Sequence, residues 1–241
     1  MVKFLAKQGR RKGGIASQLR LQIEVPVADE TPEAQIQLAR EVCDGAFSDK
    51  KGAPLSVAIF VASEKVRRVA AEELQSIGEA PVASVQTLRE GETFPDNAGA
   101  VLLLGPKEEQ IAHLRSIVGT AGSRPIVVLN PEWPDASEAE ENNKAFVASF
   151  DVCYSFLPLN IEAMLSKFEG AVLKFVRSGP PQGAPWVIFV KGNEGLKPVK
   201  TYKSRPTAKD LEDIFYNYSA SQSPVNKGIG FLRGLVGKGK K

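Results

Sequence analysis

Apolar and polar positions divide the first half of the chain into strand patterns separated by helical spacing. Residues 21–25 alternate with period two, which predicts a half-buried strand. Continuous apolar runs at residues 56–61, 100–104 and 126–129 are typical of strands that are covered on both faces. A weaker strand is predicted at residues 82–88.

Helical spacing fills the intervals between these strands, and capping residues mark where the helices begin. This alternation of strand and helix favours a mostly parallel sheet. Three helices are predicted: from the Thr31-Pro32 cap to about Phe47, from the Ser63 cap over Glu64–Ile77 to a stop at Gly78, and from Gly105-Pro106 over Glu108–Val118.

The pattern changes after residue 133, where an acidic loop is followed by short strands with short links. Thr207 and Asp210 have the spacing of a capping box. The remaining predictions are strands at 152–156, 171–176, 187–191 and 197–202, a hairpin turn at 192–195, and helices at 139–146, at 161–168 and from Thr207 to about Tyr218.

These elements predict an α/β protein with a mostly parallel, Rossmann-like sheet and helices on both faces. Antiparallel strands are expected to extend that sheet in the C-terminal half. The predicted organisation is a basic N-terminal arm at residues 1–20, a single α/β domain at 21–220, and a basic, glycine-rich tail at 221–241.

Amino-acid composition indicates the class of protein and the redox compartment in which it works. Hydrophobic residues are 43% and charged residues 24% of the 241 residues, as in a soluble globular protein. No apolar run approaches the roughly 20 residues that span a bilayer, so no membrane crossing is expected. Cys43 and Cys153 are far apart and without CxxC spacing, which favours a reducing compartment such as cytosol or plastid stroma. Both cysteines are expected to be small buried residues.

Charge is distributed unevenly along the chain. Six of the 31 basic residues lie in residues 1–20 and five in 221–241, whereas all 28 acidic residues lie between them. The body therefore carries −8 and the two ends +11, which favours contact between the ends and an anionic partner. RNA binding by the same charges, or a flexible tail exposed to solvent, is the competing interpretation. The candidate contact residues are Lys3, Lys7, Arg10, Arg11, Lys12, Phe231, Arg233, Leu235, Lys238, Lys240 and Lys241.

No catalytic, cofactor-binding or metal-binding residues are predicted. His113 is the one histidine and has no serine, cysteine or acid at a triad-like spacing. The sequence has no glycine-rich phosphate motif after a strand. Residual ligand positions are the strand ends at Ser63, Gly105 and Asn130, although a cap or a turn is the better explanation for Ser63 and Gly105.

A family resemblance rests on the order of short motifs between Arg124 and Lys191. Asn-Pro-Glu-Trp (130–133) follows a Pro-Ile-Val-Val-Leu strand, and Phe-Asp-Val-Cys-Tyr-Ser-Phe-Leu-Pro-Leu, Gly-Ala-Val-Leu-Lys-Phe-Val and a strand with Trp186 come after it. This order resembles a domain family of plants, algae and cyanobacteria that includes the low photosystem II accumulation proteins. The resemblance covers roughly residues 31–215 and implies no catalytic residues. It implies a plastid location and an auxiliary role in assembling photosystem II around its chlorophyll-binding core subunit.

Three functional hypotheses follow. The leading one is a non-enzymatic protein of the chloroplast stroma, peripheral to the thylakoid membrane, that assists a photosynthetic membrane complex such as photosystem II. Its partners would be that complex or its assembly factors, together with the anionic thylakoid lipid surface. The first alternative is a small-ligand or nucleotide-binding α/β enzyme with its site at Ser63, Gly105 and Asn130. The second is an RNA- or ribosome-associated protein that binds through its basic tails.

Overall fold

The computed structural model describes residues 18–27, 29–49, 51–163, 166–192 and 194–222. The strands are β1 Arg20–Glu24, β2 Val57–Val61, β3 Ser76–Ile77, β4 Ala80–Thr87, β5 Ala100–Leu104, β6 Ile126–Leu129, β7 Asp151–Ala163, β8 Ser166–Phe175, β9 Trp186–Gly192 and β10 Gly195–Tyr202. The α-helices are α1 Pro32–Val42, α2 Glu64–Glu73, α3 Ile111–Thr120, α4 Glu141–Val147 and α5 Ala208–Gln222.

The strand order is β10-β9-β8-β7-β1-β6-β5-β2-β4-β3. Parallel pairs join β7, β1, β6, β5, β2 and β4 in that order. The pairs β8–β9, β9–β10 and β3–β4 are antiparallel. The predicted fold class is confirmed, because the sheet is mostly parallel and gains antiparallel strands in the C-terminal half.

The continuous apolar strands lie in the middle of this sheet, with both faces covered. Every residue of β2, β5 and β6 is buried. Neighbouring residues of one strand enter different clusters, since Ile59 packs with α1 and α2 while Phe60 packs with α3 and α4. Because successive side chains of a strand point to opposite faces, the helices cover both faces, as predicted.

The chain forms two compact units. The first comprises residues 1–156 and 175–184, and the second comprises 157–174 and 185–241, so the boundary passes through β7 and β8. Both apolar clusters described above belong to the first unit. In the second unit α5 packs on the sheet at Gly170, where a Cβ atom would lie 3.1 Å from Cζ of Phe215 and would also clash with the Phe189 carbonyl oxygen.

The predicted helix at 161–168 is wrong. Residues 161–163 are the end of β7 and residues 166–168 are the start of β8. The apolar residues of this segment have helical spacing, but helix propensities differ by only a few tenths of a kcal/mol per residue. Pairing with a neighbouring strand therefore overrides the local preference.

Two helices end earlier than predicted. Helix α1 stops at Val42, with Cys43 as its C-cap, instead of continuing to Phe47. Helix α2 stops at Glu73, and the next two paired residues, Ser76 and Ile77, form the short strand β3 against β4. Gly78 is therefore not a helix stop; its φ of 58° serves the turn between β3 and β4.

The signals at the C-terminal hairpin and helix are confirmed. Gly192 pairs with Gly195, which closes the predicted hairpin turn. At the start of α5 the Thr207 amide donates to Asp210 Oδ2 at 2.9 Å, and the Asp210 amide donates to Thr207 Oγ1 at 3.2 Å. This is the predicted capping box, in which two amides of the first turn are satisfied reciprocally.

Candidate functional site

The three predicted ligand positions lie at one edge of the parallel sheet. Val61 pairs with Leu104, and Leu104 pairs with Leu129, so β2, β5 and β6 end at the same level. The helix after β2 covers one face and the helix after β5 covers the other. Ligands of open α/β sheets bind at such a switch in direction, beyond the carboxyl ends of the strands. We call this part of the molecule the carboxyl edge.

Asn130 fastens the end of β6 to the end of β1. Its backbone amide donates to the Ile23 carbonyl at 2.8 Å. Its side-chain Oδ1 accepts from the Val25 amide at 2.7 Å, and its Nδ2 donates to the Val25 carbonyl at 2.9 Å. With φ at 48°, Asn130 is the one non-glycine residue in the left-handed region among the residues described. Its amide group is therefore engaged in holding the fold.

Ser63 and Gly105 also have local structural roles. The Ser63 hydroxyl accepts from the Val66 amide at 3.4 Å and so caps α2. Gly105 has a φ of 57°, and its amide donates to the Leu129 carbonyl at 2.9 Å. The cap and the turn weighed in the sequence are thus present, and the Gly105 amide does not point at a ligand.

Gln110, which sequence reasoning missed, links the loops of the carboxyl edge. Its Nε2 donates to the Ala62 carbonyl at 2.9 Å and to the Leu88 carbonyl at 3.2 Å. Its Oε1 accepts from the Lys107 amide at 3.0 Å. One side chain thus joins the loops that follow β2, β4 and β5. The sequence signal was a glutamine in the turn before α3, but its partners are distant in the chain.

The loops after β5 and β6 are joined directly. The Glu132 amide donates to the Pro106 carbonyl at 2.8 Å, and the Glu108 amide donates to the Glu132 carbonyl at 3.2 Å. Lys107 Nζ lies 3.5 Å from Glu132 Oε2. Together with Asn130 and Gln110, these contacts tie successive strand ends of the carboxyl edge to one another.

A buried carboxylate, also missed by sequence reasoning, lies between β1 and β7. Glu24 Oε1 accepts from Gln22 Nε2 and Oε2 accepts from Ser155 Oγ, both at 2.6 Å. Glu24 is 9% exposed and Ser155 is 0% exposed. A carboxylate beside a serine hydroxyl is the arrangement of a base and a nucleophile. However, a hydroxyl that is fully enclosed cannot meet a substrate in this conformation, so the contact joins two strands.

Both cysteines are buried, as predicted, and belong to one apolar cluster. Burial, followed by the nearby Cys153, raises the pKa of the Cys43 thiol from 9.0 to about 12. The thiol therefore stays protonated at neutral pH and is not an activated nucleophile. Within the described ranges no group of three His, Cys, Asp or Glu side chains is arranged to hold a metal ion.

The raised pKa predicts a loss of stability in alkali. The unfolded state loses the Cys43 proton near pH 9 and the folded state only near pH 12. The protonated thiol therefore makes its full contribution to the free energy of unfolding below pH 9, and this contribution falls as the pH rises above 9. The expected loss is about 1.4 kcal/mol for each pH unit above 9. Urea unfolding of the wild type and of Cys43→Ala between pH 8 and about 10.5 measures it. If the free energy of unfolding had the same pH dependence in the two proteins, the prediction would be contradicted.

Trp133 packs against two aromatic rings. Its ring centroid lies 6.5 Å from that of Phe146 and 5.8 Å from that of Phe150, while those two rings are 5.4 Å apart in an edge-on arrangement. The Asn-Pro-Glu-Trp corner therefore provides the hydrogen bonds from Asn130 to Val25, the backbone contacts of Glu132 with the loop after β5, and the aromatic packing of Trp133. The Asn130 side chain and the Glu132 backbone are thus used by the fold, and the Trp133 ring packs against Phe146 and Phe150.

The candidate contact residues of the two tails lie outside the described residues. These are Lys3, Lys7, Arg10, Arg11 and Lys12, and Phe231, Arg233, Leu235, Lys238, Lys240 and Lys241. In the part of the chain that the structure covers, no helix is long and apolar enough to cross a membrane.

A family model matches most of the chain. The family described as Domain of unknown function (DUF1995) matches residues 6–213. The match includes the carboxyl edge, the buried carboxylate and most of the second unit.

Proposed function

This chain belongs to the DUF1995 family, and we propose that it is a non-enzymatic auxiliary protein that binds at a membrane surface. Its place would be the stromal face of the thylakoid, where it assists the assembly or stability of a photosynthetic complex such as photosystem II. Support for this setting comes from the order of motifs between Arg124 and Lys191, which resembles the low photosystem II accumulation proteins.

The hydrogen bonding at the carboxyl edge is the observation that supports a non-enzymatic role. An α/β enzyme of this topology needs unpaired donors beyond the ends of its strands. Here the side chains of Asn130 and Gln110 and the amide of Gly105 all bond within the protein. These groups at the strand ends are thus already used by the fold, and this favours binding by an outer surface, although the buried Thr87 hydroxyl at the end of β4 has no hydrogen-bond partner among the described residues.

Salt-dependent association with thylakoids tests the proposal. Purified full-length protein is mixed with isolated thylakoid membranes and washed at low or high ionic strength. We expect retention at low salt, release at high salt because charge contacts are screened, and copurification with photosystem II after mild detergent treatment. Protein that stays in the supernatant at low salt and copurifies with no thylakoid complex would overturn the proposal.

Matched variants locate the contact. Lys238→Gln, Lys240→Gln and Lys241→Gln together remove three charges from the C-terminal tail. The control variant removes three exposed lysines of the first unit instead, through Lys51→Gln, Lys65→Gln and Lys144→Gln. If the tail contributes as proposed, the tail variant is released at lower salt than the control variant.

A further inference from the structure

A second concentration of positive charge lies inside the acidic body, in the hairpin of β9 and β10. Residues 185–205 contain Lys191, Lys197, Lys200, Lys203 and Arg205 but one acid, Glu194. This segment, which we call the basic hairpin, therefore carries +4 within a body of −8. It is separate in sequence from the two basic tails.

The outer strand of the basic hairpin is open to solvent. β10 is the last strand of the sheet, and its residues from Gly195 to Thr201 are all exposed. Leu196 is 47% and Val199 37% exposed, and they are two of the four exposed large hydrophobic residues in the described segments. Lysines and aliphatic side chains thus share one accessible edge.

Apolar surface continues from this edge into a shallow concavity of the second unit. The concavity has a volume of about 550 Å³, and its walls include Pro158, Leu159 and Leu196. The Glu169–Lys191 ion pair lies at its side. Pro158 and Leu159 belong to the motif run that carries the family resemblance, although neither takes part in the carboxyl edge.

The four lysines of the basic hairpin are exposed and can meet an external anion, although Lys200 also lies near enough to Asp210 to interact with its carboxylate. Lys191 and Lys197 form exposed pairs with Glu169 and Glu194, and such surface pairs contribute little. Lys200 lies 5.0 Å from the Tyr202 ring centroid, and Lys203 is exposed. Neither Lys200 nor Lys203 forms an ion pair with any residue that the structure describes.

The side chains beside these cations favour one class of partner over the others. RNA binding of this kind uses exposed aromatic rings for base stacking. In the basic hairpin Trp186 is 3% exposed and has Arg205 5.3 Å from its ring centroid, and the half-buried Tyr202 has Lys200 at its ring, while the exposed Tyr216 lies on α5 outside the hairpin. Addition of a peptide strand is opposed by Pro198, by the register shift after it and by the lysines, which are the devices that protect sheet edges. Aliphatic residues between lysines fit a lipid surface.

We propose that the basic hairpin is a lipid-contacting surface that takes anionic headgroups. A membrane that meets the outer edge of β10 contacts side chains from both faces of the strand. Leu196 and Val199 enter the headgroup layer, while Lys197, Lys200 and Lys203 bind the headgroups. This inference rests on the proposed function and identifies one partner for it. Since a single weak signal gives only marginal membrane binding, the hairpin adds to the basic tails.

Vesicle cosedimentation of the full-length protein tests the inference. The vesicles contain phosphatidylcholine alone, or phosphatidylcholine and phosphatidylglycerol in equal parts. The hairpin variant combines Lys197→Gln, Lys200→Gln and Lys203→Gln, and the control variant is the one that removes Lys51, Lys65 and Lys144. Wild type is expected to bind the vesicles that contain phosphatidylglycerol and not those of phosphatidylcholine alone. The hairpin variant is expected to bind the anionic vesicles about 100-fold more weakly than wild type. The control variant should bind close to wild type.

A second variant, Leu196→Ser with Val199→Ser, keeps every charge and is also expected to weaken binding. All exchanged residues are exposed, so unchanged thermal midpoints should accompany these losses. Equal binding by wild type and the hairpin variant would overturn the inference, as would an equal loss in the control variant. A selective loss of poly(U) binding would assign the hairpin to RNA instead. If wild type still associates with thylakoids in either case, the proposed function stands and the inference alone fails.

Discussion

Asn130→Ala is expected to lower the free energy of unfolding by about 3 kcal/mol. The exchange removes both side-chain bonds to Val25 and leaves its amide and carbonyl without these partners. Each unpaired backbone group costs about 1–3 kcal/mol when water cannot replace the bond. In addition, alanine at a φ of 48° costs roughly 1 kcal/mol more than asparagine, whose side chain tolerates this conformation. Equilibrium urea unfolding measures the change as a shift in midpoint.

Asn130→Gly separates the two contributions. Glycine adopts positive φ without strain but makes no side-chain bond, so its stability should lie between those of wild type and Asn130→Ala. Asn130→Asp keeps the acceptor for the Val25 amide and places a carboxylate oxygen against the Val25 carbonyl. Suppose that the free energies of unfolding of both the alanine and the glycine variants lay within about 0.5 kcal/mol of that of wild type. The hydrogen bonds from Asn130 to Val25 would then not stabilise the carboxyl edge.

The elements that sequence predicts well are those whose signal is complete within a few neighbouring residues. The apolar runs of β2, β5 and β6 are long enough to read as strands, and they are buried on both faces. Caps behave in the same way, since the Ser63 and Thr207 signals need partners only three residues away. Local chemistry is sufficient for these features.

The features that sequence missed depend on distant partners. Asn130 and Val25 are 105 residues apart, and Gln110 and Ala62 are 48 apart. The position of Asn130 at a strand end was predictable, but not that its amide would bond to β1. The segment at 161–168 failed for a different reason, because the neighbouring strands β7 and β8 replaced a helix that local spacing favoured.

Glu24 shows the same limit at a buried site. The alternation of residues 21–25 predicts a strand with one polar face, which ordinarily faces solvent. The structure instead places β1 between two parallel neighbours, β6 and β7, and buries Gln22 and Glu24. Period two identifies which residues share a face, but the elements that cover that face are set by the topology.

Glu24→Leu is expected to destabilise the fold by about 3 kcal/mol. The leucine fills the space but leaves the Ser155 hydroxyl and the Gln22 amide without their acceptor. Ser155 is fully enclosed, so water cannot substitute for the lost carboxylate. Glu24→Gln retains one acceptor oxygen and should cost less. Urea unfolding of both variants at neutral pH, with m-values compared, measures the two losses.

A double-mutant cycle decides whether the carboxylate serves the fold or a reaction. Ser155→Ala removes the donor, so the double variant with Glu24→Leu should be more stable than the sum of the single losses predicts, by about 1–2 kcal/mol. A structural role requires this coupling, together with thylakoid association that survives in Glu24→Gln wherever the protein remains folded. Loss of association at unchanged stability would instead place Glu24 in a binding site. The serine and carboxylate would then have to become exposed in another conformation, and the contact would no longer be assigned to the fold alone.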